Sequence, residues 1–253
     1  MLKGKTILIT GGGSGIGEAL VKNLSPENQI VICGRNQDKL KKVASANKNV
    51  SYYPVDLSVP EEIDHLFKQL SGNKIVLDVL FNNAGVVEQY NISKTGLSSA
   101  EIFQRINTNL SGGIAMTRHF ISQANKSTEN YIVNITSEIA LFPVPILALY
   151  ASSKAGFSVF TKVLRQQLRN TNFKVIEVLP PQIETDMPKQ IGNSAKGVNA
   201  DDFAKKIIST VNSGKVELAN GPNVPLLKLL SKFFPDLGLR LIDKMSRKQL
   251  QVQ

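Results

Sequence analysis

The sequence predicts a doubly wound α/β fold, one domain built on a parallel seven-stranded sheet with helices on both faces. Three observations predict it. Short β-branched runs alternate with amphipathic runs, the pattern of consecutive βαβ units. A cluster of glycines sits where the first strand gives way to the first helix. The chain has 253 residues and is 42% hydrophobic, enough to cover both faces of such a sheet around one core.

In chain order, KTILIT (5–10) reads as a strand and 15–24 as a helix that stops before Ser25-Pro26. QIVICG (29–34) is the second strand, 37–46 the second helix and NVSYYPVD (49–56) the third strand. Pro60 opens a helix whose first residues include Glu61, Glu62 and Asp64, acids placed where the helix dipole is positive. KIVLDVLFNN (74–83) reads as a buried fourth strand. Apolar residues at 102, 103, 106, 110, 114 and 121 predict one long helix over 99–125. NYIVNITS (130–137) is a strand, 149–170 a helix, FKVIEVLP (173–180) a strand, 200–212 a helix and KVELA (215–219) a short last strand. Right-handed crossovers between these strands produce the double winding.

Composition narrows the function classes. The net charge of +10 favours anionic partners such as phosphates or acidic lipid. Nucleic acid has only that charge behind it: no basic motif is interleaved with aromatics, which make up 6% of the chain, so no nucleic-acid partner is expected. Cys33 is the sole cysteine, so no internal disulfide forms, which fits a reducing compartment. MLKGKTILIT holds no signal-peptide core, and no run of 18 uncharged apolar residues occurs. A cytoplasmic protein without a transmembrane segment is the expectation. His65 and His119, the two histidines, stand in no metal-ligand or triad pattern, so neither a metal site nor a serine hydrolase is predicted.

The glycine cluster carries the first chemistry. Thr10-Gly11-Gly12-Gly13-Ser14-Gly15-Ile16-Gly17 joins strand to helix, with five glycines in seven positions. Such a loop lets backbone approach a ligand closely, and the helix behind it presents free N–H groups to an anion. This is pyrophosphate-binding chemistry, so residues 1–220 read as a Rossmann-type dinucleotide-binding and catalytic domain. The second strand ends Cys33-Gly34-Arg35-Asn36. An acid here would hold a ribose 2′-hydroxyl, and none is present. Arg35 instead offers a fork that matches a 2′-phosphate, so NADP(H) is preferred, with NAD(H) the second option. Asp56-Leu57 closes the third strand and offers an acceptor for an adenine amino group. Asn83-Ala84-Gly85 closes the fourth, where small residues leave room for a ribose.

Tyr150 and Lys154 in YASSK lie four residues apart, on one face of a helix. A neighbouring ammonium favours the phenolate and lowers the phenol pKa, giving a general acid or base. Ser137, ending the fifth strand, is placed to hydrogen-bond a substrate carbonyl or hydroxyl. Taken alone, the Tyr–Lys pair also reads as an exposed i,i+4 pair.

Together these segments resemble the short-chain dehydrogenase/reductase superfamily. TGGGSGIG matches its glycine loop, NNAG its fourth-strand motif, YASSK its YxxxK, and Ser137 lies thirteen residues before the tyrosine. INTNLSGG matches the segment carrying a catalytic asparagine, which falls on Asn109. The resemblance covers roughly 1–220. It implies that Tyr150 exchanges a proton with the substrate oxygen, which Ser137 positions. It implies that Lys154 lowers the tyrosine pKa and binds the nicotinamide ribose, and that Asn109 holds a water linking Lys154 to solvent. Hydride then passes between nicotinamide and a carbonyl/alcohol substrate. It also implies a homodimer or homotetramer built through the helices at 99–125 and 149–170.

The chain departs from this pattern at Pro180-Pro181-Gln182-Ile183-Glu184-Thr185, where Pro181 takes the usual glycine place and removes an N–H. Ile183 and Thr185 remain as expected cofactor contacts. This variant, together with ICGRN, resembles a subgroup of bacterial oxidoreductases, some encoded beside genes for teichoic acid D-alanylation. Leu141, Phe142, Ile146, Leu147 and Met187 suggest an apolar substrate pocket. The extension 221–253 carries leucines and Phe233 at helical spacing; a lid, an oligomer contact and peripheral membrane docking are its three readings. The expected function is an NADP(H)-dependent oxidoreductase; the alternative is a catalytically weak NADP-binding sensor of the same fold.

Overall fold

The computed structural model of the chain describes residues 2–90, 96–185, 197–219, 221 and 224–250, with side chains undescribed at 241, 242 and 245–250. Met187 and the rest of 186–196 lie outside these residues. Seven strands form one parallel sheet: β1 (Thr6–Thr10), β2 (Gln29–Gly34), β3 (Val50–Pro54), β4 (Val79–Asn82), β5 (Asn130–Ile135), β6 (Phe173–Leu179) and β7 (Glu217–Ala219). Their spatial order is β3-β2-β1-β4-β5-β6-β7. The order reverses between β1 and β4, and in such sheets the ligand crevice opens outside the carboxyl ends at that reversal.

Helices α1 (Gly15–Leu24), α2 (Gln37–Ala46), α3 (Pro60–Gly72), α4 (Ser99–Ile106), α5 (Gly112–Gln123), α6 (Ala148–Gln167) and α7 (Ala200–Asn212) flank the sheet, and α8 (Val224–Phe233) and α9 (Pro235–Leu250) follow it. Successive strand residues point to opposite faces. Ile7, Ile9, Ile30 and Ile32 pack with α1, α2 and α7 through Leu20, Leu40 and Phe203. Leu8, Val31, Leu80 and Ile132 pack on the other face with α3, α5 and α6 through Phe67, Phe120 and Leu164.

Two expectations need correction. The run 74–83 is a strand only from Val79 to Asn82. Its first half is the exit of α3: Lys74 takes a positive φ of 56°, and the Ile75 N–H returns to the Leu70 carbonyl at 2.9 Å. The helix expected over 99–125 is broken by a π turn at Asn107–Ser111. Beyond it, Gly112 and Gly113 let α5 press against β3's exit and α6. A β-carbon at Gly112 would lie 2.5 Å from the Leu57 carbonyl oxygen, and one at Gly113 would lie 2.8 Å from the Phe157 ring. Phe103, on α4, faces outward at 67% exposure, whereas Met116 and Phe120 on α5 are buried.

A buried polar chain ties the helices to the sheet beneath the crevice. Asn82 Nδ2 donates to Thr117 Oγ1 on α5 and to Asn134 Oδ1 on β5, each at 2.9 Å. Asn134 Nδ2 donates to Thr161 Oγ1 on α6, again at 2.9 Å. Both threonine hydroxyls donate back into their own helices, to the Gly113 and Phe157 carbonyls at 2.7 Å. Thr161→Val keeps the shape and leaves Asn134 Nδ2 buried without its acceptor. Urea denaturation should show a loss of about 1–3 kcal/mol.

Candidate active site

The glycine loop is held from below by Thr10, the last residue of β1. Its Oγ1 accepts from the backbone N–H groups of Asn83 and Ala84 at 2.9 Å and donates to the Phe81 carbonyl at 3.3 Å. The Asn83 side chain donates to the carbonyls of Thr10 (2.9 Å) and Gly11 (3.3 Å). The ends of β1 and β4 are thereby joined. Gly11 and Gly15 have φ of +67° and +57°, conformations that L side chains rarely adopt. Gly12 lies on Ile32, where a β-carbon would come within 2.5 Å. Ser14 is the extended N-cap of α1, yet its side chain makes no capping bond. The first N–H groups of α1 thus lack a side-chain acceptor at the loop, the arrangement that takes an anion.

A cavity of about 570 Å³ opens over this loop along the carboxyl ends of the strands. Of the residues singled out in the sequence, Gly11, Ser14, Gly15, Ile16, Arg35, Asn36, Asp56, Leu57, Asn83, Ala84, Gly85, Ser137, Tyr150, Lys154, Ile183 and Thr185 line it. Two do not. Gly17 is buried behind the loop, where a β-carbon would lie 2.2 Å from the Gly11 carbonyl oxygen; it permits the turn and does not line the cavity. Asn109 is buried in the π turn. Its Oδ1 accepts from the Val86 N–H (2.8 Å), and its Nδ2 donates to the Val86 carbonyl (2.9 Å) and to Ser153 Oγ (3.2 Å). It ties the segment after β4 to α6 from one layer behind the wall.

Other residues line the cavity in altered roles. The Asp56 carboxylate accepts at Oδ1 from the Ser58 N–H (2.9 Å) and hydroxyl (2.7 Å), so one oxygen is already engaged in a turn. Asn36 caps α2, its Oδ1 accepting from the Lys39 N–H at 2.9 Å. Ile183 is bridged to Val198, and Thr185 stands over the glycine loop, its Cγ2 3.0 Å from where a β-carbon on Gly15 would be. Pro181 lines the cavity beside them, and the neighbouring Pro180 carbonyl accepts from the Glu138 N–H at 3.2 Å.

At the far end, Ser137 follows β5 in an extended conformation, its Oγ accepting from the Ile139 N–H at 3.3 Å, and lines the cavity together with the Tyr150 phenol. Lys154, 3% exposed, donates from Nζ to the Ile135 carbonyl at 2.9 Å and lies 5.8 Å from the Tyr150 ring centroid. Burial lowers the Lys154 pKa to about 8. Burial also raises the Tyr150 phenol above its ordinary value, and the neighbouring Ser137 hydroxyl opposes that rise. The expectation that the ammonium pulls the phenol down is therefore corrected. Desolvation is the leading influence on the phenol, and the Lys154 ammonium is directed at the Ile135 carbonyl. Cys33 is buried and its thiol is pushed up to about 12, which leaves it an inert packing residue.

Sequence reading missed Lys39 and Glu138. Lys39 lines the cavity near Arg35, its Cβ 3.2 Å from where a β-carbon on Gly13 would be. Its one available signal was its place in the first turn of a helix that starts right after Arg35. Glu138 follows Ser137 and also lines the cavity, but its Oε1 is buried without a hydrogen-bond partner. Burial raises its carboxyl pKa, and the Gly221 N–H opposes the rise. Nothing in a loop sequence distinguishes such an acid from a solvated one.

A doubly wound parallel sheet whose glycine loop opens on a cavity at its carboxyl edge defines a Rossmann-type nucleotide-binding protein. The family model for short chain dehydrogenase matches residues 5–196, and the chain belongs to that family of oxidoreductases. It is 29% identical over 223 residues to the uncharacterized oxidoreductase DltE of Bacillus subtilis (strain 168), covering 85% of this chain and 87% of the relative. The 3-ketoacyl-(acyl-carrier-protein) reductase from Brucella melitensis complexed with NADH superposes with a TM-score of 0.78 at 25% identity, over 86% of this chain and 96% of that one. A short-chain dehydrogenase from Sphingobium yanoikuyae in complex with NADPH gives a TM-score of 0.77 at 20% identity, over 85% and 87% of the two chains.

Glu138 yields a pH-dependent expectation. A carboxyl whose folded pKa is raised favours the fold while protonated, and loses that contribution as pH rises through the raised value. At neutral pH the buried carboxylate is a net cost. Glu138→Gln should melt at a higher temperature than the wild type at neutral pH. That gap should close once the pH falls below the ordinary carboxylate range.

Proposed function

We propose that this protein is an NADP(H)-dependent reductase of a carbonyl substrate. The observation that carries the reading is that Ser137, Tyr150 and buried Lys154 line one end of a cavity whose other end is a glycine loop. The cavity volume of about 570 Å³ suits a small-molecule site. The glycine positions leave the space over the loop free of side chains, and this donor set fits a nicotinamide dinucleotide. When bound, that cofactor supplies the hydride. The chain supplies the proton and the positioning. Tyr150, held protonated by burial at neutral pH, donates its proton to the substrate oxygen, a form suited to reduction. Ser137 fixes that oxygen against the phenol. Lys154, with a pKa of about 8, remains largely charged at neutral pH and holds the ribose side of the site. Asn109 acts as a positioning residue, through Val86 and Ser153.

The choice of NADP(H) is supported by two cations, Arg35 and Lys39, on the cavity wall where β2 ends, and by the lack of an acid among the residues Gly34-Arg35-Asn36 that close that strand. Exposed Phe103, Val159 and Val163 on α4 and α6 support a homodimer formed through those helices.

Tyr150→Phe should lower kcat for NADPH-linked carbonyl reduction by about 10²–10⁴-fold while leaving NADPH affinity unchanged. A wild type that binds NADPH but turns over no carbonyl would favour a nucleotide sensor instead. Arg35→Asp should reduce the preference for NADP over NAD by roughly tenfold or more, read from the ratio of kcat/KM values.

A further inference from the structure

The helix pair after the sheet is mounted with its apolar side outward. Val224 anchors α8 at 4% exposure, whereas Leu226, Leu229 and Phe233, on one face of that helix, are 55%, 51% and 58% exposed. Phe234 and Leu237 continue the exposed apolar surface into α9 at 55% and 53%. An ordinary surface helix hides this side against the core. Here the attachment to the rest of the protein uses small residues. Gly221 lies against the Glu138 carboxyl and Gly238 against the Phe142 ring, each without room for a β-carbon. Leu239 closes a small apolar groove with Pro143, Pro145 and Ala151. The tail is thus fixed to the loop 138–147, and its large apolar side chains face solvent.

Cations accompany this surface. Lys228, Lys232, Arg240 and Lys244 are exposed, and Lys232 Nζ lies 5.2 Å from the Phe233 ring centroid. Lys228 pairs with Glu217. Over 225–253 the chain carries six basic residues and two acidic ones. A second copy meeting this surface across a two-fold axis would set its cations against their own images, on a chain already at +10. An anionic lipid surface complements both halves: the acyl boundary receives Leu and Phe, and headgroup phosphates receive Lys and Arg. No helix among the described residues is long and apolar enough to cross a membrane, so the contact lies in the interface plane.

We propose that the outward face of α8 and the start of α9 dock this protein on an anionic lipid surface. The docking brings the loop 138–147, and with it the Ser137–Tyr150 end of the cavity, to the membrane side.

The test uses the full chain and does not depend on its redox activity. Protein is sedimented with vesicles of phosphatidylcholine and phosphatidylglycerol in equal parts, with phosphatidylcholine vesicles, and without vesicles. The wild type should pellet with the mixed vesicles and far less with phosphatidylcholine alone. The variant L226Q/L229Q/F233Q changes only exposed side chains and should keep the wild-type melting temperature. Its partitioning onto mixed vesicles should fall by roughly tenfold or more, since burying one such side chain is already worth more than a tenfold step. Wild type remaining in the supernatant with both vesicle types overturns the proposal, as does equal pelleting by wild type and variant. If the wild type ignores vesicles and the variant has a smaller mass in sedimentation velocity, the face is a contact between copies and the lipid assignment falls.

Discussion

The ammonium of Lys154 and the carbonyl of Ile135 form the contact on which the site depends. The lysine sits in the second turn of α6 and the carbonyl ends β5, so their bond sets the height of the helix against the sheet. Tyr150, one turn earlier on α6, then reaches Ser137, two residues beyond Ile135. If this charged donor were lost, the Asn134–Thr161 hydrogen bond would remain as the polar tie between strand and helix, about two turns away from the reacting groups. The cost is a cation held out of water, and its depressed pKa expresses that cost.

The rest of the fold serves to bring strand ends to one edge. The threonine that ends β1 gathers the backbone after β4, and the asparagine there returns to the glycine loop, so the two central strands end as one unit. The polar chain through Asn82 and Asn134 does the same beneath, coupling α5 and α6 to the middle of the sheet. Side chains near the reacting end are therefore supported from two directions, by apolar packing and by hydrogen bonds that have few alternative partners once buried.

What the sequence revealed follows from how local each cause is. The glycine loop was legible because each glycine answers a local steric demand, such as the positive φ of Gly11 or the contact of Gly17 with a carbonyl oxygen. The first two strands and helices were legible because hydrophobic period and capping residues agree there. The run 74–78 misled because its apolar residues seal a helix exit and resemble strand residues in type. The π turn was invisible because Asn107–Ser111 differs from an α turn in ring size and not in composition. The Tyr150 shift was misjudged for a related reason: spacing places a cation near a phenol, but only coordinates show how far the phenol is withdrawn from solvent and where the ammonium points. Glu138 and the outward tail required knowledge of which distant segments meet.

The contact of Gly238 with Phe142 leaves no slack, since a β-carbon there would fall 2.1 Å from the ring. The loop beside the reacting groups and the terminal helix are thus keyed to one another through a hole the size of a hydrogen atom. A side chain at position 238 would displace the Phe142 ring or its own helix. A change at position 238 is therefore felt first in a segment almost a hundred positions upstream, through a single ring.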